Sequence, residues 1–437
     1  MAKPARTQKV LILGAGFAGL GCARKLAGKK EFEVTLVDQN NHHLFQPLLY
    51  QVASASLAAP DIARSIRQVL AKARNVETFM DEITAVDVEA KTATGAQGKV
   101  YSYDILVVAT GAKTGYFGND HWSEHTLSLK TLAESNDIRR TVLANLEKAE
   151  MTEDKAERKR LMTIAIAGGG PTGVELAGAF ADLARRSLHT NFRHINTHDL
   201  RIVLIEGADR LLGVYDQDLS DYTKERLESL GVEVLLGKFV SDTQKGKFIL
   251  QGGTEIEAGT LLWTAGVEAT SLTRQLGVET DRGGRITPEP DLSLPGNRKV
   301  FVLGDIVKMT DVKGQMVPGV APAAMQMGNH VAKQLITGER KPFVYFDKGN
   351  MAIIGKNHAV VQVGKTKLRG FIAWAAWLFI HILFLVGFRN KVSVLLGWAW
   401  AYLSDSPDTR IIVNTPRSQE EAKPASETGQ SAVTKAA

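Results

Sequence analysis

A chain of 437 residues is two to three times the usual domain length of roughly 150 residues, and at 44% hydrophobic and 23% charged it is composed like a globular protein, neither disordered nor polytopic. Its net charge of +6, from 53 Lys and Arg against 47 Asp and Glu, is uneven: residues 350–404 hold no acid but contain Lys356, Lys365, Lys367, Arg369, Arg389 and Lys391, so the rest of the chain is neutral. Those cations flank an oily segment instead of lining a groove or recognition helix, which argues against nucleic acid as a partner, and the lone Cys22 excludes a disulfide framework, a CxxC redox pair and a thiolate-rich metal centre.

The opening MAKPARTQKV has no apolar stretch behind its charges, so no secretory signal is expected. Residues 10–13 form a short apolar strand that runs into Gly14, Ala15, Gly16, Phe17, Ala18 and Gly19, then a helix to about Lys29; a second strand, 33–37, ends in Asp38. In such a loop Gly14 permits the tight turn, Gly16 lets backbone meet a pyrophosphate, and Gly19 lets helix and strand pack closely. The helix N-terminus offers free N–H groups to the anion, and Asp38 can accept hydrogen bonds from both hydroxyls of an adenosine ribose. Adjacent His42 and His43 lack a nearby carboxylate or cysteine partner, so no metal is expected. Residues 105–109 make a further strand, ending in Thr110 and Gly111.

The pattern restarts at 162–167 with Gly168, Gly169, Gly170, Pro171, Thr172 and Gly173, a helix over 174–186, and a strand, 201–205, that closes on Glu206. An acid there favours NADH because it repels a 2′-phosphate, although Arg210 lies near. Glu175 sits where the helix should already hold an anionic pyrophosphate; a second negative charge suggests a specific task, orienting the nicotinamide carboxamide toward a flavin. Strand 261–263 runs into Thr264, Ala265 and Gly266, and strand 300–303 into Gly304 and Asp305. Small residues there let backbone approach a ligand at the carboxyl edge of a parallel sheet. Two dinucleotide sites with no metal cluster and no cysteine pair suggest hydride transfer from a nicotinamide to a tightly held flavin.

After Asp347 the composition changes, and Trp374, Trp377, Trp398 and Trp400 crowd into 371–403. Residues 371–388 are interrupted only by His381 and as a helix would be roughly 27 Å long, just short of a roughly 30 Å hydrocarbon core. Basic residues at both ends assign no orientation, and 392–403 is too short to cross, so two helices lying in one leaflet are expected, with Trp at headgroup depth. A chain ending before Gly370 should then lose membrane attachment and keep activity toward artificial acceptors. From about Pro416 a disordered tail is expected.

The glycine loops, Ala109-Thr110-Gly111 and Phe301-Val302-Leu303-Gly304-Asp305 together resemble the two-dinucleotide-binding-domain flavoproteins. Within them, residues 41–53 (NHHLFQPLLYQVA) and the stretch from Gly370 to Leu403 are similar to type II NADH:quinone oxidoreductases, a likeness that covers residues 8 to about 413. The resemblance implies an α/β fold of two nested Rossmann-like domains: 7–115 and 286–345 binding FAD, 116–285 binding NADH, then a membrane-anchoring region, 346–413, and a tail, 414–437. It implies FAD cradled by Gly14, Ala15, Gly16, Phe17 and Ala18, its adenosine ribose on Asp38 and Gln39, its adenine at Ile83, its ribityl chain at Asp305, and its ring near Pro47 and Leu48. NADH would use Gly168, Gly170, Thr172, Gly173, Glu175, Glu206, Ala265 and Gly266. Many family members carry Ala-Gln-x-Ala-x-Gln beside the quinone; here Ala321-Pro322-Ala323-Ala324-Met325-Gln326 keeps only the second Gln, so Gln326 is the expected quinone contact, while Pro322 and Ala323 meet the flavin through backbone. Sulfide:quinone and disulfide reductases need cysteines this chain lacks. The implied function is NADH oxidation with two-electron reduction of a membrane quinone and no proton pumping, by a peripheral homodimer on the cytoplasmic face of the cell membrane. The alternatives are a reductase of a soluble electron carrier and a flavin/NAD redox sensor without turnover.

Overall fold

The computed structural model describes residues 7–404 and 410–412. The expected tail, 414–437, lies outside the described residues. The first unit begins with β1 (Gln8–Leu13), α1 (Phe17–Leu26) and β2 (Phe32–Asp38), passes through the short α2 (Leu49–Ala53), and continues with β3 (Val76–Met80) and β4 (Ile105–Val108). All four residues of β4 are buried. That is the continuous apolar run demanded of a parallel strand covered on both faces.

The chain then builds the second unit: β5 (Leu127–Ser128), α3 (Leu132–Met151), β6 (Thr163–Ala167), α4 (Pro171–Asp182), β7 (Arg201–Glu206), α5 (Gln217–Ser229), β8 (Val232–Leu236) and β9 (Thr260–Trp263). It returns to the first with β10 (Ser293–Leu294), β11 (Asn297–Val302) and α6 (Ala321–Thr337). The strand orders are β10-β11-β4-β1-β2-β3 and β5-β9-β6-β7-β8. In both sheets the strand that feeds the glycine loop stands between neighbours reached in opposite directions, the switch point where a doubly wound sheet opens a crevice. An antiparallel ribbon, residues 112–114 on 267–269, joins the units.

Last come three antiparallel strands, β12 (Asn350–Gly355), β13 (His358–Val363) and β14 (Thr366–Gly370), and two helices, α7 (Phe371–Phe384) and α8 (Phe388–Ser404). The expected single segment 371–388 is thus divided. Leu385 is extended (ψ 133°) and Gly387 takes φ +97°, which ends α7 and starts α8 four residues earlier than its apolar run suggested. Among the described residues no helix is long and apolar enough to cross a membrane.

This hairpin is not an appendage. Trp377 is 0% exposed, and Trp377, Leu385 and Val394 share one core with Phe45, Tyr50 and Leu57 of the first unit and Phe180 of the second. Asn390 donates to the carbonyls of Pro60 and Asp61, each at 2.8 Å, and Ser393 to the Asp61 carboxylate at 2.7 Å. The basic collar is partly spent inward: Lys367 bridges Asp216 and Asp218 at 2.9 and 2.8 Å, and Arg369 lies over Tyr222.

Candidate active site

The two glycine loops are built to one plan. At Gly14 (φ +97°) a Cβ would fall 2.3 Å from the Ala109 carbonyl oxygen, and at Gly168 (φ +112°) 2.7 Å from the Ala265 nitrogen. Only glycine allows the loop to pass that close to the neighbouring strand. At Gly16 and Gly170 a Cβ would meet nothing within 4 Å, so both loops present bare backbone to open space. Asp38 accepts from the N–H groups of Ala15 and Asn40, both at 2.7 Å. Glu206 does the same with Gly169 and, at 2.8 Å, Ala208. Each acid is locked against its loop with lone pairs to spare for ribose hydroxyls.

The first loop opens on a cavity of about 700 Å³ whose wall includes Gly14, Ala15, Gly16, Phe17, Ala18, Asp38, Gln39, Thr110, Gly111, Gly304 and Asp305. Gly19 stands behind it, packed on the Gly14 carbonyl. Ile83 joins Asp38 and Gln39 in a side pocket of about 140 Å³ at the ribose end. Lys130 and Asp305 face each other at 4.0 Å on the wall. Pro47, Leu48, Pro322 and Ala323 are not on this wall; their neighbours Gln46, Ala321 and Ala324 are. Leu48 and Ala323 are buried in the cores. Pro322 lies in the first turn of α6, where a missing N–H costs no helical bond.

On the second unit Thr172 and Gly173 open α4 behind Gly170, and Gly168 abuts Ala265. The carbonyl of Gly266 accepts from the Gly115 N–H at 3.1 Å. Arg210 is held away from Glu206 by bonds to Gln217 (3.1 Å) and the Gly213 carbonyl (2.9 Å). Sequence reading passed over Phe239, whose ring lies against Gly207 beside Glu206 although 58% exposed. Following a Gly-Lys turn outside any periodic run, it carried no signal.

Glu175 lies elsewhere, in an apolar cavity of about 680 Å³ between α4 and the C-terminal hairpin, walled by Trp374, Leu378, Ile382 and Trp398. It is half-buried on that wall and hydrogen-bonded to the Ile353 backbone; burial pushes its carboxyl up to about 8. Tyr50 and Gln51 share that wall: Trp398 Nε1 donates to Gln51 Oε1 and Gln51 Nε2 to the Tyr50 hydroxyl, each at 2.7 Å. This chain of three side chains was invisible in the sequence because Trp398 stands 347 residues from Gln51. His381 stacks on Trp377 at 3.7 Å, and burial lowers its imidazole to about 4. Gln326 exchanges two hydrogen bonds of 2.9 Å with the Phe346 backbone.

The pyridine nucleotide-disulphide oxidoreductase family model matches residues 8–328. The single Cys22 is buried in the helix after the first loop, its thiol pushed up to about 12 by burial, so the disulfide half of that family name has no counterpart here. Over 421 residues the chain is 40% identical to the type II NADH:quinone oxidoreductase Ndh of Mycobacterium tuberculosis, an alignment covering 92% of this chain and 90% of the relative. It is 39% identical over 415 residues to NdhA of the same organism, covering 90% and 87%. Its fold is similar to that of NDH2 from Plasmodium falciparum solved in complex with NADH, with a TM-score of 0.85 at 21% identity over 94% of this chain and 100% of that one.

Proposed function

The chain belongs to the type II NADH:quinone oxidoreductases, and from that premise we propose that it oxidises NADH at the second cradle through FAD held in the first, and reduces a quinone drawn from the membrane. The observation that carries the acceptor side is the largely apolar cavity under the hairpin, where Glu175 and Tyr50, with Asp182, Arg186 and Lys356, share a wall with tryptophan and aliphatic side chains. Polar groups set into a mainly apolar wall suit a ring with two carbonyls and a hydrocarbon tail. The hairpin that covers it also carries the exposed apolar face made by Phe379, Leu383, Phe388, Leu396 and Leu403.

The first cradle fits a flavin dinucleotide: bare backbone at Gly16, an acid at the ribose end, and the N-terminus of α6 directed at the cavity by Ala321 and Ala324. The chemistry that FAD would supply there is hydride acceptance from the nicotinamide and two-electron delivery to the acceptor. The protein's part is to hold and to exclude. Asp38 and Glu206 fix the two riboses, and Glu206, with Arg210 turned away, disfavours a 2′-phosphate. Glu175, neutral below about pH 8, can donate a proton at its carboxyl oxygen toward reduced acceptor in the cavity, and Tyr50, held by Gln51, points a hydroxyl at the same space. Membrane attachment is peripheral, on the cytoplasmic face, and the enzyme is a homodimer.

The test is NADH consumption by detergent-purified protein with a short-chain quinone, flavin content being read from the released cofactor. Reduction of a ferredoxin-type carrier in preference to quinone would overturn the acceptor assignment, flavin binding without turnover would overturn the enzyme, and a proton gradient raised in sealed vesicles would overturn the absence of pumping.

A further inference from the structure

Cations from separate parts of the chain converge on the turn between α7 and α8. Arg24 and Lys25, in the last turn of α1, line a cavity of about 420 Å³ together with Phe384 and Val386. Lys348 places its ammonium 4.7 Å from the centre of the Phe384 ring. Lys391 donates to the Leu383 carbonyl at 2.7 Å, and the Arg64 guanidinium packs against Gly387 so tightly that no Cβ would fit. Among the described residues none of these five is salt-bridged, in contrast to Lys367 with its two aspartates. Asp61, the acid at this turn, is already spent on Ser393 and on the Ala58 N–H.

A second observation concerns the same cavity. His43 is 3% exposed and lines it; its Nδ1 donates to the Ala15 carbonyl at 2.9 Å, which leaves Nε2 a hydrogen-bond acceptor, buried with no partner. An orphaned buried nitrogen is costly unless something meets it. The tip beside it is apolar and open: Phe388 is 82% exposed and Leu383 52%. Cations outside any salt bridge, a buried nitrogen that needs a hydrogen-bond donor and an adjoining apolar ridge together describe an amphipathic anion whose headgroup carries a hydroxyl.

We propose that this pocket binds one anionic phospholipid, its phosphate held by Arg24, Lys25 and Lys348 and its acyl chains running along Phe384 and Val386 into the bilayer. The proposal rests on the reading of the hairpin as lying in the membrane. It differs from a quinone site in requiring net positive charge, which a neutral ring does not. The cations belong to the folded body of the enzyme, so the lipid would join the first unit to the hairpin turn.

The experiment is co-sedimentation of the full-length holoenzyme with vesicles of phosphatidylcholine alone or with a third phosphatidylglycerol, and native mass spectrometry of detergent-solubilised protein for a retained phosphatidylglycerol. Arg24→Gln/Lys25→Gln is compared with Lys155→Gln/Lys159→Gln, which removes the same charge from the second unit. At about 1 kcal/mol per basic contact the first pair should lower binding to the mixed vesicles about 30-fold and abolish the retained lipid, and the second should do neither. Equal losses in both pairs, or none in the first, would overturn the site while leaving the hairpin's membrane role intact. Failure of the unaltered protein to bind either vesicle would overturn that membrane reading itself. A raised KM for quinone with unchanged lipid binding would give the pocket to the acceptor and overturn the lipid.

Discussion

Glu175→Gln is the substitution whose outcome is most fully determined by the surroundings of one side chain. The carboxyl is carried from an ordinary 4.5 to about 8 by burial between α4 and the hairpin. The native protein therefore holds this proton more tightly than the unfolded chain, and stability falls as pH rises from 4.5 and levels off above 8. At about 1.4 kcal/mol per tenfold change the full loss is at most about 5 kcal/mol, and about 3 kcal/mol at pH 7, water in the cavity reducing both. Gln copies the neutral acid and escapes the penalty. In urea unfolding of the holoenzyme the two proteins should match near pH 4.5, diverge through neutrality in favour of Gln, and run parallel above pH 8. A difference that is the same at pH 5 and pH 9 would refute the reasoning. Rapid mixing then assigns the side on which Glu175 acts: slower flavin reduction by NADH marks the nicotinamide, whereas slower reoxidation by quinone, with loss of an inflection near pH 8, marks the acceptor.

Truncation before Gly370 should not yield a soluble active enzyme, since it uncovers the core around Phe45 and Tyr50; flavin retention and activity with a short-chain quinone should both collapse. Trp398→Phe leaves the Gln51 carbonyl oxygen unpaired beside the cavity and should cost about 1–3 kcal/mol in denaturant unfolding, with a higher KM for quinone and an unchanged KM for NADH. Phe239→Ala removes an exposed ring beside the ribose carboxylate. It should raise the KM for NADH about tenfold, as loss of one base–aromatic stack does, and leave turnover of reduced nicotinamide mononucleotide, which has no adenine, unaltered.

Where backbone pattern alone decides, the sequence was sufficient. Strand, glycine loop, helix and terminal acid occupy residues 8–38 in the first unit and 163–206 in the second, and in each the terminal acid, Asp38 or Glu206, is bonded back to its glycine loop. Where side chains meet across the fold, it was not. Nothing local in Tyr50, Gln51 or Trp398 announces that they form a chain, and Glu175 read from its helix position alone looks like a residue of the dinucleotide loop. The helix turns that side chain toward β12 and the hairpin. One cation of the collar was hidden for the same reason, since the acids that answer Lys367 stand about 150 residues earlier. The hairpin's length was legible from its apolar content, but the burial of Trp377 depends on a core assembled from three parts of the chain.

The nesting of one sheet inside the other also dictates an order of events during synthesis. Strand β4 needs β11 as its neighbour, pairing Leu106 with Val300, yet β11 ends about 190 residues after β4 is made. At roughly 5–20 residues per second the ribosome takes on the order of 10–40 s to deliver it. Throughout that interval the apolar edge of β4 has no partner, while the inserted unit, whose strands all lie between 127 and 263, emerges whole and can fold first. The guest domain is finished before its host, and the host's open edge is the place where a nascent chain of this design is most exposed to misassembly.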